Sequence, residues 1–288
     1  MRAVRLFDRP IITPHMDDRI GENINGPSLV RVPDWVENPL GRYYLYFAHH
    51  RGKYIRLAYA DALAGPWHPY EPGTLPLEES FYSGHVASPD VHVDDARREI
   101  RMYYHGHTPR EPQTSRVALS TDGIRFTARP EILGPSYFRV WRSDSWWYAI
   151  GMPGRLFRSR DGLTDFEEGP TLFTPDMRHT AVLVRGHTLH VFYSNVGDAP
   201  ERILHSTIDL RRDWRDWTAT PPETVLAPER DYEGADLPLE PSVRGWAPRR
   251  VRQLRDPAIF CEGEDVYLLY SVAGEHGIAI ARLELDGA

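Results

Sequence analysis

A triplet of short strand-forming runs recurs five times along this chain, and nothing else in the sequence restricts the fold as strongly. The first run of each triplet is apolar and opens on Gly, Ser, Thr or Asp. These runs are Gly26-Pro27-Ser28-Leu29-Val30, Ser88-Pro89-Asp90-Val91, Gly134-Pro135-Ser136-Tyr137-Phe138, Thr180-Ala181-Val182-Leu183 and Asp256-Pro257-Ala258-Ile259-Phe260. The second is rich in tyrosine or other aromatics, as in Tyr43-Tyr44-Leu45-Tyr46-Phe47 and Trp146-Trp147-Tyr148-Ala149-Ile150. The third ends near a turn, as in Ile55-Arg56-Leu57-Ala58-Tyr59-Ala60 and Ser115-Arg116-Val117-Ala118-Leu119-Ser120. One such unit cannot bury its apolar face alone. Copies stacked around an axis bury one another, which predicts the blades of a propeller. The first strand of each blade then lines the central channel, and residues at one end of those strands converge.

Several third runs lead into a tight turn and then an aromatic: Asp122-Gly123 before Phe126, Asp161-Gly162 before Phe166, and Asp61 to Gly65 before Trp67. Asp-Gly supplies the positive φ of a tight turn, and the aromatic starts a short outer strand. The blades are therefore expected to be four-stranded. The last triplet has no outer strand before Ala288, whereas Val4-Arg5-Leu6-Phe7 has no triplet of its own. That N-terminal run is expected to complete the last blade and close the ring, which removes an open sheet edge. The expectation is an all-β, five-bladed propeller forming a single domain over residues 1–288. Two connections are long, Pro72 to His85 and Pro228 to Arg255. Connections beyond about 12–15 residues are usually functional, so the second is expected to lie ordered over the channel mouth.

Composition removes several classes. The formal net charge is -7, with arginines scattered among acids, so no basic face for nucleic acid is expected. The single cysteine, Cys261, permits no intrachain disulfide. The N-terminal residues lack the apolar core of a signal peptide, and no run approaches the ~20 apolar residues of a membrane span. The reading is a cytoplasmic protein with neither nucleic acid nor membrane as a partner.

The repeats, the inner strands opening with Ala87-Ser88-Pro89-Asp90-Val91 or Arg255-Asp256-Pro257-Ala258-Ile259, and the Tyr43-Tyr44-Leu45-Tyr46 type of second strand together resemble the five-bladed propeller glycoside hydrolases, family 43 and its relatives 32, 62, 117 and 130. The resemblance covers essentially the whole chain. It implies cleavage of a glycosidic bond by two or three carboxylates, in the funnel where the inner strands begin. It further implies a small saccharide or glycoside as substrate. The chain departs from that pattern at the first inner strand, which in the family carries a base or nucleophile Asp. Here the matching stretch is Asn23-Ile24-Asn25-Gly26-Pro27-Ser28, with no carboxylate nearer than Glu22. The usual triad therefore does not copy onto this sequence.

The candidate catalytic carboxylates are Asp256, Glu240 and Asp90. Asp256 opens an inner strand beside Arg255, a setting for an ionised base or a hydroxyl clamp. Asp90 is taken as its equivalent in blade two. It resembles the Asp of the family's Ala-Pro-Asp segment, which is not generally a triad member. Glu240, flanked by Pro238, Leu239 and Pro241, is in a setting that raises a carboxyl pKa and suits a proton donor. His49, His85, His107 and His179 fall at the ends of strands that share one face, because neighbouring strands are antiparallel. They are assigned, with Arg255 and Asn25, to sugar hydroxyls, and Phe138 and Trp246 to stacking. Imidazole and carboxylate are also ordinary metal ligands, but no His-x-x-x-His helix or cysteine cluster accompanies them. No cofactor is expected. Two other functions fit the same fold: a carbohydrate-binding propeller without catalysis, and a lyase or phosphorylase using Arg51, Arg178, Arg249, Arg250 and Arg255.

Overall fold

A computed structural model describes residues 1–109 and 112–285. Residues 110, 111 and 286–288 of the expected domain lie outside the described residues. The strands form five antiparallel sheets arranged as blades. Their inner strands are Asn25–Arg31, His85–Asp94, Arg139–Ser143, Met177–Arg185 and Arg255–Glu262. Their second strands are Tyr43–Ala48, Glu99–His107, Trp146–Gly151, Thr188–Asn195 and Asp265–Ser271. Each sheet continues through a third strand to a short outer one. Among the described residues the helices are single 3₁₀ turns, and none is long and apolar enough to cross a membrane.

Alternation along the second strands explains why the blades cohere. Successive side chains point to opposite sheet faces. In blade one, Tyr44 and Tyr46 pack toward blade two with Met102 and Tyr104, while Tyr43, Leu45 and Phe47 pack toward blade five with Phe260 and Leu269. Five apolar clusters result, one at each junction between neighbouring blades. The aromatic density of the second strands is thus the material of the inter-blade core.

The ring closes as the sequence indicates. Arg2–Arg5 pairs antiparallel with Ile278–Glu284, with Arg5 opposite Ala281. The strand begins two residues ahead of the expected Val4, and Leu6 still donates its amide to Ile280 at 3.1 Å. Arg5 also latches the connection that follows blade four. Its Nε and Nη2 donate to the two oxygens of Glu233 at 2.7 and 2.8 Å, and the Tyr270 hydroxyl donates to the same buried carboxylate at 2.9 Å. Removing one partner of a buried ion pair strands the other. Arg5→Ala is therefore expected to destabilise the protein by about 3 kcal/mol. A urea midpoint lowered at unchanged slope checks this; an unmoved midpoint would show that the latch carries no stability.

Blade three differs from expectation. Gly134–Pro135 does not open its inner strand but pairs with the third strand of blade two, opposite Ser115 and Thr114. The inner strand starts at Arg139. Tyr137, at φ 55, turns the chain between the two blades.

Candidate active site

The inner strands share a local irregularity that builds the site. Pairing with the second strand slips between Asn25 and Ser28, Ala87 and Asp90, Arg178 and Ala181, and Arg255 and Ala258. Within each slip lies one left-handed residue: Gly26 at φ 58, Ser88 at 48, His179 at 55 and Asp256 at 48. Tyr137 supplies the fifth, just ahead of its strand. A bulge re-aims a side chain, and holding non-glycine residues in this conformation costs about 1–3 kcal/mol each, which the surrounding structure must over-determine. The five equivalent positions are thus Gly26, Ser88, Tyr137, His179 and Asp256. Only the last is a carboxylate.

Ser88, Tyr137 and His179 border a cavity of about 190 Å³ at the channel mouth. Asn25, Arg178, His85 and His105 complete its wall from the strands, and His50, Gln113 and Met152 from the turns between second and third strands. Arg244 and Gly245, from the long connection before blade five, lie over it. This agrees with the expected position of that connection.

Asp256 sits directly behind this wall and is 2% exposed. The Tyr137 hydroxyl donates to its Oδ1 at 3.1 Å, and His179 Nε2 lies 3.7 Å from the same oxygen. Burial, and then the negative charge of Glu275, push the Asp256 carboxyl up to about 6; Arg255, the Tyr137 bond and Arg178 oppose the rise. The Tyr137 phenol is driven well above its ordinary value by burial and by Asp256.

Four further buried charges hold this floor in place. Arg178 forms a bidentate pair with Glu201 at 2.9 and 2.6 Å. Arg255 Nη1 donates to Glu275 at 3.1 Å, and its Nε lies 2.9 Å from Glu201. Glu275 in turn accepts from Asn23 at 2.6 Å and from Asn25 at 3.1 Å. Two arginines and two glutamates balance, so an ionised Asp256 is an excess negative charge. The wall imidazoles are held neutral. Burial, ahead of neighbouring arginines and imidazoles, drives His105 and His179 well below their ordinary value and His85 down to about 4. At neutral pH the wall is uncharged imidazole, amide, hydroxyl and phenol, apart from the paired Arg178 and the rim residue Arg244.

Of the residues singled out in the sequence, Asn25, His85 and His179 line this cavity, and Asp256 and Arg255 lie immediately beneath it. The others are elsewhere. Asp90 is not the counterpart of Asp256; Ser88 is. Asp90 lies past the bulge, opposite Tyr103, and its Oδ2 accepts the Val140 amide of blade three at 2.9 Å and pairs with His92. The equivalent Ser28 likewise accepts the Val91 amide of blade two at 2.9 Å, so both are staples between blades. Glu240 lies in a half-exposed stretch and pairs with Arg249 at 2.7 Å, outside the cavity lining. His49 accepts the Arg51 amide through Nδ1, and it is His50 that reaches the cavity. His107 stands behind His85, their Nδ1 atoms 2.8 Å apart. Phe138 is buried against Phe157 and Phe166 and offers no stacking face. Trp246 lies at the rim, its ring 6.2 Å from His50 and 5.0 Å from the Arg51 guanidinium. Among the described residues no group of three or more His, Cys, Asp or Glu side chains is arranged to hold a metal ion. Sequence reasoning missed Ser88, Glu201 and Glu275 as site residues.

No protein-family model matches the chain. "Uncharacterized protein R118" of Acanthamoeba polyphaga mimivirus is 37% identical over 297 residues, spanning 91% of this chain and 83% of the viral protein. The chain belongs to the family of that viral protein. Among solved structures, a putative glycoside hydrolase from Bacteroides ovatus superposes with a TM-score of 0.68 at 12% identity, covering 98% of this chain and 96% of that one. A family-43 β-xylosidase/α-arabinofuranosidase from a compost microbial metagenome, in complex with xylotriose, superposes with a TM-score of 0.63 at 16% identity, covering 99% and 96%. This member of the R118 family therefore has the five-bladed propeller fold of the family-43 glycoside hydrolases.

Proposed function

We propose that this cavity hydrolyses the glycosidic bond of a small saccharide or glycoside, with Asp256 as its base. The observation that carries the reading is the environment of Asp256. It is the one carboxylate among the five left-handed residues at the inner-strand starts, it is buried, and its carboxyl is raised to about 6. A general base works best with a pKa near the working pH, and such perturbation in a cleft is characteristic of functional groups. Tyr137 and His179 connect it to the cavity. The neutral, hydrogen-bonding wall suits sugar hydroxyls, and the xylotriose bound to a structural neighbour supports a saccharide ligand. Glu240 lies outside the cavity lining and does not reach the leaving oxygen as a proton donor. The reading through arginines is weaker, because Arg178 and Arg255 are already engaged by Glu201 and Glu275.

The test is a screen of aryl glycosides, followed by a pH profile on any that turn over. With Asp256 as base, kcat/KM rises with pH through about 6 and is lost below it. A profile flat across that region would remove Asp256 from the base role. Saccharide binding without turnover of any glycoside would favour a binding propeller.

A further inference from the structure

We infer that the saccharide taken by this cavity is acidic: a uronate whose ring occupies the cavity and whose carboxylate is held at the mouth by Arg244, with Arg51 adding to the attraction. The inference rests on reading the cavity as a saccharide site, and it names the class of sugar.

Arg244 belongs to the long connection before blade five, and its side chain is both exposed and part of the cavity lining. Its Nη2 donates to the Pro175 carbonyl at 3.1 Å, which anchors the guanidinium at the mouth and leaves its Nε and Nη1 groups for a ligand. Arg51, exposed in the turn after the second strand of blade one, holds its guanidinium 5.0 Å from the Trp246 ring. That ring lies 6.2 Å from the imidazole of His50, which lines the cavity. Among the described residues no carboxylate pairs with Arg244 or Arg51, and none of the residues lining the cavity is acidic. Other arginines of the same connection differ: Arg249 pairs with Glu240, and Arg250 donates to the Asp231 carbonyl. The chain as a whole carries a net charge of -7, so two unpaired cations at one mouth run against its average.

The negative charge of the site lies at the floor instead. Asp256 is ionised above about 6, and it is in excess over the balanced pairs of Arg178, Arg255, Glu201 and Glu275. A ligand carboxylate is repelled by that floor and drawn to the rim, which turns the sugar ring inward. A guanidinium presents parallel N–H donors that match the two oxygens of a carboxylate. A sugar filling the cavity displaces water, and the lower local dielectric strengthens the attraction. A phosphate ester brings a second negative charge against the ionised floor, so the carboxylate is the better fit.

Calorimetry on two matched series tests this. Xylose, glucose and glucuronate share their ring stereochemistry and differ at C5 in a hydrogen, a hydroxymethyl and a carboxylate. L-Arabinose, galactose and galacturonate form the second series. In one of them the uronate is expected to bind the wild-type protein about 10- to 100-fold tighter than its neutral members at low salt. Most of that advantage should be lost at about 1 M salt, where charges at an open mouth are screened. The methyl ester of the same uronate, which keeps the shape and drops the charge, should bind like the neutral sugars. In Arg244→Gln the advantage of the uronate falls to no more than about twofold, and in Arg51→Gln it falls by about two- to threefold. Both side chains are exposed, so neither change opens the core. Uronates that bind no tighter than glucose and galactose, or an advantage that survives intact in Arg244→Gln, would overturn the acidic assignment while leaving the saccharide site standing. Glucose 6-phosphate binding more tightly than either uronate would overturn it in favour of a phosphate ester. Failure of every sugar, neutral or acidic, to bind the wild type would instead remove the saccharide reading, and this inference with it.

Discussion

Asp256→Asn is expected to unfold at higher urea than the parent at neutral pH while losing activity by about 10²–10⁴-fold on any glycoside the parent cleaves. The two effects share one cause. A free Asp carboxyl titrates near 4, whereas Asp256 in the folded protein titrates at about 6, raised chiefly by burial. Between those values the native state holds a proton that the unfolded chain has released. Stability contributed by this group therefore falls as pH rises through the window, and the loss at neutral pH is about 3 kcal/mol relative to acid. An amide of the same shape can keep the Tyr137 contact without carrying the charge, and so escapes that loss. The histidines pull the other way. His49, His85 and His205 are depressed to about 4 in the folded protein, so they add stability as pH rises toward their ordinary value. The quantity to measure is thus the difference between variant and parent, at about pH 4.5 and about pH 7.5, and not the slope of the parent alone. The variant should gain on the parent between the two. A variant less stable than the parent at the higher pH would mean that Asp256 is held as a structural anion, and the acid–base reading would fail with it.

How much of this was legible in the sequence depends on which interaction each residue serves. The blade repeat was visible because apolar alternation and Asp-Gly turns are local consequences of a strand packed on both faces, as Tyr43–Ala48 shows. The closing strand was visible because the triplet ending in Ile278–Glu284 is one strand short of a blade and the run around Arg2–Arg5 has no triplet of its own. The register of the site was misread for a physical reason. Asp90 and Asp256 were matched because both are carboxylates, but the residue that marks the bulge is the proline after it: Gly26-Pro27, Ser88-Pro89 and Asp256-Pro257. Proline lacks the amide that a continuous ladder would use, so it belongs where pairing slips. Reading the prolines as the register mark places Ser88 opposite Asp256. Blade three has lost that mark, since Gly134-Pro135 resembles Gly26-Pro27 but pairs in blade two, and Tyr137 was therefore read as part of an inner strand that in fact starts at Arg139. Glu201 and Glu275 carried no local signal. Each lies in a turn between a second and a third strand, outside the apolar repeat, and acquires its meaning only when the ring brings it beneath the bulge residues.

Those two turn carboxylates carry the other large effect. Glu201 is fully buried, accepts two bonds from Arg178 and one from the Ser194 hydroxyl, and lies 2.9 Å from Arg255 Nε. Glu201→Gln keeps the size and removes the charge, leaving two buried guanidinium groups to share Glu275 and Asp256. A buried ion pair broken on one side is costly because the remaining charge stays desolvated, and the expected loss is about 3–5 kcal/mol. Removing a second partner relieves part of it, so Glu201→Gln combined with Arg178→Met should be less destabilised than the sum of the single changes. The substitution also acts on Asp256. A negative charge is deleted from a floor that holds Arg178 and Arg255, which favours the ionised form of Asp256 and moves its titration toward lower pH. The acidic limb of the kcat/KM profile should shift with it, whereas a purely structural role for Glu201 would lower the folded fraction and leave the limb in place. Urea denaturation of the two single variants and the double variant, with the pH profile of Glu201→Gln, separates these outcomes. Additive losses and an unmoved limb would show that the four charges are independent surface-like pairs, and not the electrostatic support that sets the proton affinity of Asp256.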